Sequence, residues 1–136
     1  MKGSYILVIS VKQDIELIIG ALGKIKFVKG YYFYIGSAMG NYGSATLENR
    51  VKRHLLSKNQ KKRYWHIDYL LNDVHTYITK LYLIPSNKPL ECRIAEELSK
   101  ISTSSINKFG SSDCNCKSHL FYMKDLNQFK LNNLNI

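Results

Sequence analysis

Two stretches of this sequence concentrate side chains able to handle phosphate or metal. The first runs from Arg50 to Arg63 and holds seven basic residues, Arg50, Lys52, Arg53, Lys58, Lys61, Lys62 and Arg63, with no acid among them. Such a run is either a solvated helix face followed by a lysine-rich connection or a track for a phosphate backbone. A track making six phosphate contacts would lose about three orders of magnitude in affinity between roughly 50 and 200 mM salt. It would position a nucleic acid without choosing its sequence. The second stretch is Cys114-x-Cys116-x-x-His119, with Cys92 elsewhere in the chain. Three cysteines and a histidine are a permitted zinc set, but C-x-C is tighter than the usual C-x₂₋₄-C, so zinc is disfavoured. The alternative is a rigid loop in which Asp113 and Ser118 cap backbone groups and the thiols fill small apolar spaces.

Other polar residues carry two readings each. His54 and His66 are candidates for proton relay or phosphate contact, or else hydrogen-bonded, half-buried histidines. Asp68 would orient His66 or cap a helix. Trp65 and Tyr69 read as core aromatics rather than base-stacking platforms. The glycine-rich segment Gly36 to Gly43 leads into a helix, whose free N–H groups attract anions. It is neither a Walker loop nor a dinucleotide-binding fingerprint.

The elements that must position these groups are legible in outline. Residues 5–11 are a dense run of strand formers. Residues 15–19 form a second strand, residues 20–23 a glycine turn, and residues 24–28 an alternating, half-buried strand. Residues 31–35 are an aromatic strand. Ser44 is a candidate cap for a helix that sets Leu47, Val51, Leu55 and His54 on one face. Residues 64–71 read as a short buried helix and residues 75–84 as a strand stopped by Pro85. A helix with Pro89 in its first turn runs to about Ser102. Residues 102–116 read as a polar loop, residues 119–123 as an edge strand, and residues 124–136 as a fraying tail. The expected class is α+β, a small and mainly antiparallel central sheet flanked by helices, with a β-hairpin inserted at about residues 12–29. One domain is expected over residues 1–123, followed by the tail.

Composition narrows the function. The chain has 136 residues, 45% of them hydrophobic, and a formal charge of +10, with 20 basic against 10 acidic residues. That supports one domain with a true core and a polyanionic partner. Three cysteines make no complete disulfide framework, which points to a reducing compartment. No signal-peptide pattern opens the sequence, and no apolar stretch is long enough to span a bilayer. A cytoplasmic, nucleoid-associated protein is expected, with no membrane partner, since no helix combines a basic face with a broad aromatic one.

Several strings together resemble the GIY-YIG nuclease superfamily. Gly3-Ser4-Tyr5 stands where that family has its Gly-Ile-Tyr triplet, with Ser4 in place of the usual apolar middle residue, and Tyr34-Ile35-Gly36 matches the second triplet. Glu48 to His54 resembles the following helix, which carries the family's functional arginine. More closely, the chain is similar to a branch of that superfamily that occurs alone and fused to helix-hairpin-helix DNA repair glycosylases. That likeness rests on Gly30 to Ala38, Arg50 to His54, Trp65 to Leu70 and Phe109 to Phe121. It covers nearly all of residues 1–123. The connection between Tyr5 and Tyr34 is longer than in typical members, by the length of the inserted hairpin, which could also cover the active face.

The resemblance implies a metal-dependent endonuclease that hydrolyses phosphodiester bonds, in DNA rather than RNA, in repair or processing, with a DNA repair glycosylase as a candidate partner. Tyr5 or Tyr34 would act as or position the general base, which needs a neighbouring cation or metal to lower a phenol pKa near 10. Arg50, with Arg53 as the fallback, would donate to the transition-state phosphate. His54 joins them as a catalytic candidate. Mg²⁺ or Mn²⁺ would be held by Glu91, with Glu96 and Glu97 as competitors. Gly36, His66, Asp113 and His119 are possible supporting residues, and Lys52, Arg53, Lys58, Lys61, Lys62 and Arg63 the nucleic-acid track. A non-catalytic nucleic-acid-binding module on the same scaffold is the alternative.

Overall fold

The apolar run near the start of the chain becomes β1 (Gly3–Val11), all nine of whose residues are buried. A strand that is apolar throughout, instead of alternating, needs cover on both faces. The structure, a computed structural model, describes residues 1–56, 58, 62–63, 65–111, 116–127 and 129–136, and supplies that cover. β1 lies inside a five-stranded antiparallel sheet between β5 (Thr76–Pro85) and β4 (Gly30–Ala38), and the sheet continues through β7 (Leu120–Met123) to the two-residue β6 (Ser104–Ser105). Three α-helices are found among the described residues, α1 (Leu47–His54), α2 (His66–Leu71) and α3 (Glu91–Ile101). This is the expected α+β class.

The two faces of β1 sort its side chains by parity. Tyr5, Leu7, Ile9 and Val11 join Tyr32 and Tyr34 of β4 in a core closed by Leu47 and Val51 of α1 and by Ile67, Leu70 and Leu71 of α2. Ile6 and Val8 join Phe33 and Ile35 in a second core under Ile94, Ala95 and Leu98 of α3. The inserted hairpin forms as β2 (Ile15–Ile18) and β3 (Lys24–Phe27), paired only with each other as a separate two-stranded sheet. It leaves the main sheet at the Val11 and Gly30 end, six residues or about 20 Å along β1 from Tyr5. Its buried Ile19 and Phe27 close the first core, with Phe27 edge-on to Tyr32 and Phe109. The hairpin therefore caps the far end of the strands and leaves the Tyr5 end uncovered by it.

Three local expectations are corrected. Thr46, not Ser44, caps α1, because its Oγ1 accepts from the Asn49 N–H, while Ser44 lies in a 3₁₀ turn. Leu55 is exposed, so the inward face of α1 is Leu47, Val51 and His54. The segment after residue 124 is no frayed end. Phe129 stacks on Phe33 at 4.7 Å and on Tyr82 at 5.2 Å between ring centres, and Leu134 is buried with it. Burying two such side chains contributes roughly 1.5–3 kcal/mol each. Arg93 Nε donates to the Asn135 carbonyl, and the Asn135 N–H donates to Glu97 Oε1, tying the chain end to α3.

Candidate active site

The antiparallel register of β1 and β4 sets Tyr5 opposite Gly36 and Leu7 opposite Tyr34. The two tyrosines are thus diagonal neighbours on one face, with ring centres 6.5 Å apart. Tyr5 lies across Gly36, where a Cβ would come within 2.2 Å of Cζ and 2.3 Å of Oη. The glycine of the Tyr-Ile-Gly string is therefore required by the ring of the other triplet. Gly36→Ala is expected to destabilise the fold by about 1–3 kcal/mol, because the displaced phenol has no room in a packed core. Thermal melting checks this, and an unchanged melting temperature would contradict the close approach.

One helical turn of α1 separates Arg50 from His54, so both reach the same region. His54 is buried, and its Nε2 is hydrogen-bonded to the Tyr5 hydroxyl at 2.7 Å. Arg50 Nη1 donates to the Ser37 carbonyl at 2.9 Å. Its buried Nε has no partner among the described residues. Ser37, at the end of β4, turns its hydroxyl the other way and donates to Glu91 Oε2 at 2.8 Å. Glu91 is the first residue of α3, and its Oε1 lies 2.9 Å from Nδ1 of the buried His119. Ser37 thus joins Arg50 to Glu91. Sequence reasoning passed over Ser37, since no local pattern links residue 37 to residue 91.

Of the three glutamates, only Glu91 reaches this place. Glu97 pairs with Lys100 at 2.7 Å and accepts from Asn135, and Glu96 is exposed further along α3. Arg53, the fallback for Arg50, is engaged elsewhere. Both its terminal nitrogens donate to the buried carboxylate of Asp68 at 2.9 Å, and Asp68 also accepts from the Trp65 N–H at the start of α2. Asp68 is therefore a cap and an ion-pair partner. Trp65 is not a core residue: it is 37% exposed, with the guanidiniums of Arg53 and Arg50 at 4.3 and 5.1 Å from its ring centre.

The basic track divides. Lys52, Lys62 and Arg63 are exposed. Lys58 points inward, donating to the carbonyls of Leu71 and Thr76, and burial holds its pKa below the usual lysine range. Lys61 and Asp113 lie outside the described residues.

Burial pushes the phenols of both Tyr5 and Tyr34 well above their ordinary pKa. Arg50 acts in the opposite direction on each but does not prevail. Arg50 alone does not lower either phenol below its ordinary value, because desolvation of the phenolate outweighs the guanidinium.

His66, half-buried, has other partners. Its Nδ1 accepts from the Gly110 N–H at 2.9 Å and its ring packs on Phe109. Burial lowers its pKa. The unfolded chain therefore takes up a proton here before the folded one, and stability should fall as pH drops below about 6.5. Denaturation at about pH 7.5 and about pH 5.5 tests the sign, and His66→Asn, which keeps an acceptor for Gly110, should reduce the difference.

Cys92 of α3 and Cys116 are bridged, with Cα atoms 5.8 Å apart. Reading these thiols as independent apolar fillers is thereby corrected, and one pair does form from the three cysteines. Cys114 lies outside the described residues. No helix among the described residues is long and apolar enough to cross a membrane.

What this geometry defines is a class: an antiparallel α+β domain with an arginine, a carboxylate and a tyrosine–histidine pair gathered at one end of its central strands. The chain belongs to the family described as a domain of unknown function, DUF123, whose profile matches residues 4–135. No curated protein and no solved structure is significantly similar to it.

Proposed function

We propose that this chain is a metal-dependent endonuclease of the GIY-YIG type that hydrolyses phosphodiester bonds in DNA. The observation that carries the reading is the convergence of Arg50 and Glu91 on Ser37, beside the hydrogen bond between Tyr5 and His54. The donor set fits a hard cation: Glu91 offers carboxylate oxygens whose bonds to Ser37 and His119 leave lone pairs over, and Mg²⁺ or Mn²⁺ needs only one or two protein carboxylates when waters and phosphate oxygens complete its shell. When bound, such an ion would polarise the scissile phosphate and stabilise the leaving oxygen.

The chain's own groups supply the rest. Arg50, half-buried, has Nη1 on the Ser37 carbonyl, which aims the rest of the guanidinium fork at a phosphate oxygen. Tyr5 is too strongly desolvated to stand as a phenolate. It can still pass a proton, giving its own to His54 Nε2 as it accepts one from the attacking water. Exposed Lys52, Lys62 and Arg63 would follow the phosphate backbone, and Trp65 offers a partly exposed ring beside them. A role in DNA repair or processing, with a repair glycosylase as partner, rests on the resemblance alone.

A second reading has one observation in its favour. Tyr5 and Tyr34 are both buried, which suits a scaffold that binds nucleic acid without cutting it. The two are separated by incubating purified protein with labelled duplex, flap and single-stranded DNA and with RNA, in Mg²⁺, Mn²⁺ or EDTA. Metal-dependent cutting supports the nuclease. Salt-sensitive binding with no cutting on any substrate would move the assignment to the binding module.

A further inference from the structure

We propose that Cys92, Cys116 and His119 form a zinc-binding site when the two thiols are reduced. One ligand atom from each, the two Sγ and a ring nitrogen of His119, lie within 4.8 Å of one another. Once the S–S bond is broken the two sulfurs need only separate to the edge of a tetrahedron, with the imidazole nitrogen already within reach, since Zn–S is about 2.3 Å and Zn–N about 2.0–2.1 Å. The C-x-C spacing spoke against zinc because it is tighter than the usual C-x₂₋₄-C. The set proposed here does not use that spacing, since the fold pairs Cys116 with Cys92 of α3, 24 residues away. Soft thiolates with one imidazole select zinc over the magnesium expected at Glu91. An outer carboxylate is also present, because Glu91 Oε1 lies 2.9 Å from His119 Nδ1, the kind of partner that fixes the orientation of a ligating imidazole.

Access is open. Cys92 is exposed and Cys116 half-buried, and both line a cavity of about 630 Å³ between α3 and β6, edged by Ser99, Ser102 and Lys117. In the bridged form the sulfurs hold no charge to offer a metal. A dithiol reductant would give two electrons and two protons, breaking the S–S bond to leave two thiols while itself becoming a disulfide. Zinc binding would then release both thiol protons and leave two thiolates and a neutral imidazole on the ion. A water would complete the tetrahedron. The bridge and the zinc are thus alternative ways of fastening residues 116–119 to α3, next to Glu91.

The inference does not depend on the nuclease reading, and its test needs no nucleic acid. The full chain, stripped of metal and reduced with a phosphine, is titrated with Zn²⁺ against a chromogenic chelator, and with Co²⁺ to record the thiolate charge-transfer band. In the reduction, water's oxygen leaves on the phosphine and its two protons go to the two sulfurs. One equivalent bound by the reduced chain and none by the bridged chain is expected. Cys92→Ser and His119→Gln should each weaken zinc binding by more than about 100-fold, and Glu91→Gln by about 10–100-fold as an outer partner. Cys114→Ser should bind as the native chain does. A reduced chain that takes up no zinc, a bridged chain that binds equally well, or loss of binding in Cys114→Ser would overturn this ligand set. The comparison of reduced and bridged native protein stands even if a variant fails to fold.

Discussion

Glu91→Gln is expected to remove metal-dependent cleavage, lowering turnover by about three orders of magnitude, while DNA affinity is not weakened. Electrostatic help to a phosphoryl centre from a bound cation is worth several kcal/mol, and each 1.36 kcal/mol is about tenfold in rate. Glutamine keeps the shape and can still accept from Ser37, so the substitution removes charge more than contact. That makes it a cleaner probe than alanine, which would also leave the Ser37 hydroxyl and His119 without their partner. The readout is single-turnover cleavage across a Mg²⁺ titration, with DNA affinity and thermal stability measured alongside. Full activity in Glu91→Gln would exclude this carboxylate as the metal ligand. Loss of activity together with loss of folding would be traced by the melting curve.

Arg50→Ala is the second large effect, a loss of about 10²–10³ in kcat, the size found when one preorganised transition-state donor is deleted. Arg50 is placed for such a role because Nη1 is fixed on a backbone carbonyl and the ring of Trp65 lies 5.1 Å from the guanidinium carbon. Arg50→Lys should recover little, since one ammonium cannot reproduce a planar fork that holds Ser37 and a phosphate together. The split between kcat and KM is the informative measurement. If Arg50→Ala instead weakens binding uniformly and reduces the salt slope by about one, the residue is a phosphate anchor and not part of the chemistry.

Part of this arrangement was legible before any coordinates. The unbroken apolar run of β1, the aromatic run of β4 and the inserted hairpin are local patterns, set by which residues favour extended backbone and where glycine interrupts. Arg50 and His54 are one helical turn apart, so their shared side follows from spacing alone. The burial of Leu55 failed because the α1 helix ends at His54, and a helical face has no meaning beyond the helix. Trp65 was misread because large aromatics usually fill small cores, whereas here two arginines of α1 flank the ring at the surface.

The sequence by itself determined the elements, the excess of positive charge and a short set of polar residues to suspect. Tertiary structure decided which of them meet. Glu91, Glu96 and Glu97 are equivalent by type and lie on one helix, and only packing of α3 against β4 selects the first. Cys92 and Cys116 are 24 residues apart in sequence, and become neighbours because residues 116–119 lead into β7 while α3 packs on the same sheet. Arg53 and Lys58 belong to the same basic run as Lys52 and Lys62, yet Asp68 and the carbonyls of Leu71 and Thr76 turn them inward. The physical reason is common to all three. Periodicity and propensity act over a few residues and are written in adjacent letters, whereas strand register and helix docking join residues tens of positions apart and are set by the burial of the whole sheet.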